Sequence, residues 1–272
     1  MSAIFRKGRA ERKAGAKIAA RLYDGREGDD MTPFVLFGPS HLAALALTIA
    51  LPAALVIIAR RHPSARPPIR WSLAAVLLGV WVWWYALAWH RGWLTIGDAL
   101  PMNLCDWATI ATIVTLLHPN QKSYELAYFW ALGDTVQGMI TPDTPYDFPE
   151  VRFLIFFVYH GGILAAVLYL TFGCRLRPWP QSIPRVVAWS LVYLCAAAAV
   201  DVALGTDYGF LRAPPAQASL FDFLSPWPYY IPELVGLGLI SAAMYYAPWF
   251  IADRLHSGAR AIFIPRADGR SS

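Results

Sequence analysis

The chain has 272 residues, 57% of them hydrophobic and only 15% charged, with 12 tryptophans. That balance excludes an ordinary soluble domain of this size. The net charge of +5 is not a nucleic-acid signature and no nucleic-acid partner is expected, because the basic residues gather in the tails and at the ends of apolar runs, where anionic lipid accounts for them.

Residues 1–33 read as a basic, disordered tail without the long apolar run of a signal peptide. Met31 directly precedes TPFVLFGPSHL, where a membrane domain can begin, and is read as the initiator. Seven apolar runs of membrane-spanning length follow, at roughly 40–60, 71–90, 101–117, 124–141, 152–172, 185–204 and 229–250. The third is short and the fourth is polar for its class. The connections are mostly short. This predicts an all-α fold: a polytopic membrane helical bundle of about seven transmembrane helices over 34–252, with a basic C-terminal tail at 253–272. Arg60, Arg61, Arg66 and Arg70 follow the first span, Arg175, Arg177 and Arg185 the fifth, and Arg254, Arg260, Arg266 and Arg270 the last. The positive-inside rule therefore places the C-terminus in the cytoplasm of a multi-pass cell-membrane protein. The distal tail argues against this unless translation starts at Met31.

With the spans as a ruler, the polar residues fall in one half of the membrane. His41 opens the first span and His90 closes the second. Asn103, Cys105 and Asp106 open the third. Asp134 precedes the end of the fourth, Tyr159 and His160 follow the start of the fifth, Asp201 ends the sixth and Glu233 opens the seventh. At 1.5 Å per residue, Asp134 and His160 sit about 10 Å inside the boundary. Three aspartates exposed to lipid at that depth would cost on the order of 9 kcal/mol. A polar cavity shared by most helices accounts for them, lined by Asp134, Asp201, His41, Glu233 and Tyr159. The competing reading puts His41, His90 and Glu233 at headgroup level. The opposite half is nearly bare of such groups, with Glu125 at its boundary.

Cys105, Cys174 and Cys195 form no CxxC pair, so neither a disulfide framework nor a zinc knuckle is suggested. Cys105 and His160 lie at comparable depth, and a thiol beside an imidazole is the minimal arrangement for covalent acyl transfer. Asp106 or Asp134 can orient the imidazole, and Asn103 can donate to the oxyanion. Packing alone is the plainer reading of a membrane cysteine, and His160 serves equally as a proton relay or interhelical contact. Metal binding by His41, His90 and His160 lacks paired HxxxH spacing, so no metal and no cofactor is expected. The aromatic, proline-rich loop 205–228 reads as a lid or an interfacial tether. WVWWY at 81–85 reads as the wall of an acyl-chain tunnel or as a lipid-facing ring.

Several motifs carry a resemblance: FGPSHL at 37–42, LPMNLCDWATI at 100–110, ELAYFWALGDTVQGMITPD at 125–143, FPEVRFLIFFVYHGG at 148–162, and DYGFLRAPP with PWPYY at 207–230. The chain resembles the YwaF-like bacterial integral membrane family, which is related to transmembrane protein 164 of animals, over about residues 34–252. The animal relative is regarded as a cysteine-dependent acyltransferase that moves fatty acyl groups between phospholipids. The resemblance implies Cys105 as the acyl-accepting nucleophile, His160 as its base and membrane phospholipids as partners. A carrier or lipid-binding protein that uses the same cavity without covalent chemistry is the alternative.

Overall fold

The structure is a computed structural model that describes residues 32–261 apart from 216 and 218, with the side chains of 256–261 left aside. The expected tail at 1–33 and its candidate initiator Met31 lie, but for residues 32 and 33, outside the described residues. So does most of the C-terminal tail.

Helix α1 (Pro39–Arg61) leads through one 3-10 turn into α2 (Arg66–Arg91). A single turn, α3 (Ile96–Ala99), precedes α4 (Leu104–Leu117). Then α5 (Gln121–Trp130) runs through a π-helical turn (Ala131–Thr135) into α6 (Val136–Ile140). Helix α7 (Val151–Leu168) ends in a second π turn (Tyr169–Gly173). Helices α8 (Ser182–Leu204) and α9 (Tyr230–Ala261) complete the bundle. The last helix passes through Asp253 and Arg254, where the sequence suggested a tail.

Helix boundaries follow local chemistry. Gly92 and Gly205 stop α2 and α8 in the left-handed conformation at φ 67° and 72°, which costs glycine nothing. Glu150 caps α7 by accepting from the backbone N–H of Arg152 (2.6 Å). Along α4, Thr109, Thr112 and Thr115 return their hydroxyls to the carbonyls of Cys105, Ala108 and Ala111 at 2.7–2.8 Å. Three fully buried polar side chains are thereby satisfied inside their own helix.

Among the described residues, six helical stretches are long and apolar enough to cross a membrane: Pro39–Arg61, Pro63–Arg91, Ile96–Leu117, Val151–Gly173, Ser182–Leu204 and Tyr230–Leu255. The expected span at 124–141 exists as the continuous helix α5–α6 but is less apolar. Its position explains this: Tyr124, Glu125, Ala127, Tyr128, Phe129, Trp130 and Ala131 are all buried, on every side of the helix. A helix enclosed by protein has no need of a lipid-facing surface. The most apolar window of α7 is 67% buried, against 6% for that of α9. So α5–α6 and α7 form the centre, and α1, α2, α8 and α9 present Leu, Ile, Val and Trp side chains outward. The chain is an integral membrane protein with an all-α, polytopic bundle.

Candidate functional site

The polar residues of α4, α5–α6, α7 and α8 meet where α4 begins. Asn103 is the N-cap of α4, and its N–H donates to Asp106 Oδ2 (3.1 Å). This is the reciprocal arm of a capping box. The other oxygen, Oδ1, accepts from the Tyr159 hydroxyl of α7 (3.0 Å). The side-chain oxygen of Asn103 is turned to the loop after α8, where it accepts from the Gly209 N–H (3.2 Å). This leaves the amide nitrogen as its donor.

That loop is bound down at several points. Asp201 Oδ1 accepts from the Thr206 hydroxyl (2.8 Å) and the Tyr208 N–H (2.7 Å). The Tyr208 hydroxyl donates to Ile96 O (2.6 Å) and accepts from the Leu100 N–H (3.0 Å). Gly209 holds φ 64°, and a Cβ there would collide with the Tyr193 hydroxyl. The chain after α8 thus folds back over the entry to α4, as a lid does. The Tyr193 hydroxyl and Asp201 Oδ2 are buried beneath it with no hydrogen-bond partner among the described residues. Each such orphan costs about 1–3 kcal/mol.

Cys105 follows Asn103 and Leu104 and is half-buried. The charges of Asp106 and Asp134 both act on its thiol, and Asp106 acts on Asp134. Asp134 sits in the π turn of the central helix, a distortion frequent at functional sites. Tyr193 is within electrostatic reach of Asp134, Cys105, Asp106 and Asp201. Asp106, Asp134, Cys105, Asp201 and Tyr193 thus lie within reach of one another at this end of the bundle. Among the described residues, no Lys, Arg or His pairs with the three aspartate carboxylates.

His160 lies one residue beyond Tyr159. Its Nδ1 is 2.9 Å from Phe156 O. A carbonyl oxygen only accepts, so Nδ1 carries the proton and Nε2 keeps a lone pair. The ring lies on Phe156 (centroids 4.1 Å) and faces Gly138. No hydrogen bond joins it to Cys105 among the described residues. His41 is fully buried with both nitrogens engaged: Nδ1 accepts from the Phe37 N–H (3.0 Å) and Nε2 donates to Met139 O (2.9 Å). It pins the start of α1 to the end of α6, boxed by Phe34, Phe37 and Phe157. Glu233 accepts from the N–H and hydroxyl of Ser225 and anchors the lid loop to α9. His90 is exposed. Among the described residues, no group of three or more His, Cys, Asp and Glu side chains is placed to hold a metal.

Sequence reasoning missed Tyr85, Tyr193 and Tyr208. Tyrosine carries no spacing rule, and the available signal was DYGF at 207–210, whose glycine marks a forced backbone. Beside the cluster, an apolar groove of about 650 Å³ runs open to the outside along α2 and the α3–α4 entry, lined by Trp81, Val82, Tyr85, Trp89, Ala99 and Pro101. Tyr85 is in turn within electrostatic reach of Asp106 and Tyr208. The WVWWY segment therefore walls a groove that borders the polar residues.

A polytopic helical membrane protein with a covered polar cluster at one end is the class these features define. The model of the TMEM164 family matches residues 36–246, and the chain belongs to that family. Neither the curated proteins nor the solved structures contain a match.

Proposed function

We propose that the protein transfers acyl groups on membrane phospholipids through a thioester at Cys105, in a cell membrane with its arginine-rich end in the cytoplasm. The observation that carries this reading is the junction at Pro101: an open apolar groove on the outer face of α2 borders a cluster holding the thiol, two carboxylates and hydroxyl donors.

In the reaction, the Sγ–H proton passes to a base and the thiolate attacks the ester carbonyl. A sulfur–carbon bond forms, the ester carbon–oxygen bond breaks, and the departing lysophospholipid oxygen takes the proton. An acceptor hydroxyl then repeats the sequence on the thioester, losing its proton and restoring the thiol. His160 is the base in this reading, because its tautomer leaves Nε2 free; closing the remaining gap to Cys105 is the part of substrate binding. Asp106, held by Tyr159 and Asn103, and Asp134 are the carboxylates that act on the thiol. The Asn103 amide nitrogen is the oxyanion donor.

The test is intact-protein mass spectrometry after incubation with phospholipid. A hydroxylamine-labile acyl adduct on the wild type that is lost in Cys105→Ala supports the proposal. Lipid turnover unchanged in Cys105→Ala refutes it. One observation favours a carrier: Asp106 and Asp134 lie together with no cation paired to them among the described residues, as groups that exchange a proton or ion do. A carrier retains its flux in Cys105→Ser and loses it in Asp134→Asn.

A further inference from the structure

At the opposite end of the bundle, Glu125 and Asp253 are taken by Arg185 and Arg177, while Arg60, Arg66 and Arg70 gather at the α1–α2 connection. Arg66 opens the first turn of α2, a turn that holds no acidic residue, and Arg70 follows four residues later on the same face. A helix N-terminus is the positive end of the dipole, so arginines there are repelled unless an anion joins them. Pro67 and Pro68 carry no N–H, and the Arg66 N–H is taken by Pro63 O. Recognition must therefore fall to the guanidinium groups.

The neighbourhood is built rather than loose. The Tyr169 hydroxyl, from the second π turn, donates to Arg66 O (2.9 Å). Arg66 Nε donates to Ala59 O (3.2 Å), and Arg60 Nε donates to Phe172 O (3.1 Å). These bonds fix the α1–α2 connection against the end of α7. Arg66 and Arg70 both act electrostatically on Tyr169 and Cys174. Arg70 Nε is buried and has no hydrogen-bond partner among the described residues, an expensive state for a charged donor. Among the described residues, none of Arg60, Arg66 and Arg70 has a carboxylate partner. Trp71, 61% exposed, follows Arg70 and marks the depth of a membrane interface.

We infer that Arg66 and Arg70, seated against Tyr169 and Cys174, form a binding site for a phosphate group, and that its source is the headgroup of an anionic phospholipid. Arginine forks match phosphate oxygens, and the site opens where headgroups lie. It is far from Cys105 in the bundle and does not depend on the acyl-transfer reading.

Native mass spectrometry of the detergent-purified protein titrated with phosphatidylglycerol or phosphatidylcholine tests this. The expected result is one phosphatidylglycerol retained at least tenfold more tightly than phosphatidylcholine. Arg70→Gln lowers that affinity at least fivefold, whereas Arg61→Gln, an exposed neighbour, leaves it unchanged. Inorganic phosphate at millimolar concentration fails to displace the lipid; full displacement together with equal thermal stabilisation by phosphate overturns the lipid source. Should Arg70→Gln fail to fold, the wild-type preference decides alone: equal retention of the two lipids overturns the proposal, as does equal affinity of a folded Arg70→Gln variant.

Discussion

The two ends of the bundle treat buried acids in opposite ways. At the arginine-rich end, Glu125 is 1% exposed and is held by Arg185 (2.8 Å) and by Gln121 (2.9 Å). There Arg177 grips Asp253 with two bonds at 2.7 and 3.1 Å. At the other end, among the described residues, the carboxylates of Asp106 and Asp201 bond neutral donors and Asp134 lies within reach of the Asp106 charge. The first arrangement neutralises charge, as a structural element does. The second keeps carboxylates beside a thiol and unpartnered hydroxyls, which stability alone does not favour.

The largest effect separates the ends by function. If the proposed thioester chemistry holds, Cys105→Ala lowers acyl transfer on the order of 10³-fold or more, as loss of a nucleophile does, with helical content and melting temperature unchanged. An assay of radiolabelled acyl exchange between phospholipids measures it. The equivalent loss of a thiol at the other end, Cys174→Ala, leaves turnover within about twofold, since the proposed thioester forms on Cys105. Equal losses in the two variants would erase the distinction.

The next effect separates them by stability. Arg185→Ala strands Glu125 without its cation. A fully buried pair would lose about 3–5 kcal/mol; Arg185 is 42% exposed, so water compensates part, and about 1–3 kcal/mol is expected. Among the described residues no cation bonds the Asp201 carboxylate, Arg212 reaching only the backbone carbonyls of Asp201 and Thr206; Asp201→Asn keeps an oxygen for Thr206 and Tyr208, so it is neutral or stabilising. Thermal denaturation in detergent should show a fall of several degrees for Arg185→Ala and no fall for Asp201→Asn. A fall in both would mean that the site-end carboxylates are structural too.

A smaller effect tests the lid. Gly209→Ala strains a left-handed residue by about 1–2 kcal/mol and pushes against the Tyr193 hydroxyl. Faster proteolysis within 205–228 is expected. Tyr193→Phe removes a hydroxyl that has no partner, costs little alone, and restores part of the protection when combined with Gly209→Ala. Strict additivity of the two would show that the lid does not rest on Tyr193.

The contrast between the ends was partly legible in the sequence. Apolar runs revealed the bundle because lipid-facing helices announce themselves by composition. The central α5–α6 helix announced itself less, because protein surrounds it. Depth along the spans grouped Asp106, Asp134, Tyr159 and Asp201, which the structure brings together. His41 shares that depth yet is closed off by Phe37 N–H and Met139 O, and a depth ruler is blind to rotation about the helix axis. The π turn at Ala131–Thr135 and the lid contacts of Tyr208 and Gly209 depend on tertiary packing and left no periodic trace. Glu125 looked peripheral because its partner lies 60 residues away.

The smallest effect concerns the field of the arginine-rich end. Burial pushes the Cys174 thiol above its ordinary range, and the Tyr169 hydroxyl with Arg70 and Arg66 draws it partly back. The thiolate is the species that alkylates, so Cys174 should react slowly with iodoacetamide at neutral pH and faster as pH rises. Removing the Arg70 charge withdraws one of the influences that favour the thiolate. In delipidated protein lacking Cys105 and Cys195, Arg70→Gln should therefore slow labelling by roughly twofold to fivefold at one pH and displace the pH profile upward. Phosphatidylglycerol added to the parent should produce the same displacement, because a phosphate on the two arginines cancels the field that Cys174 feels. A profile indifferent to both changes would separate Cys174 from the arginines and leave the field of this end to act on lipid alone.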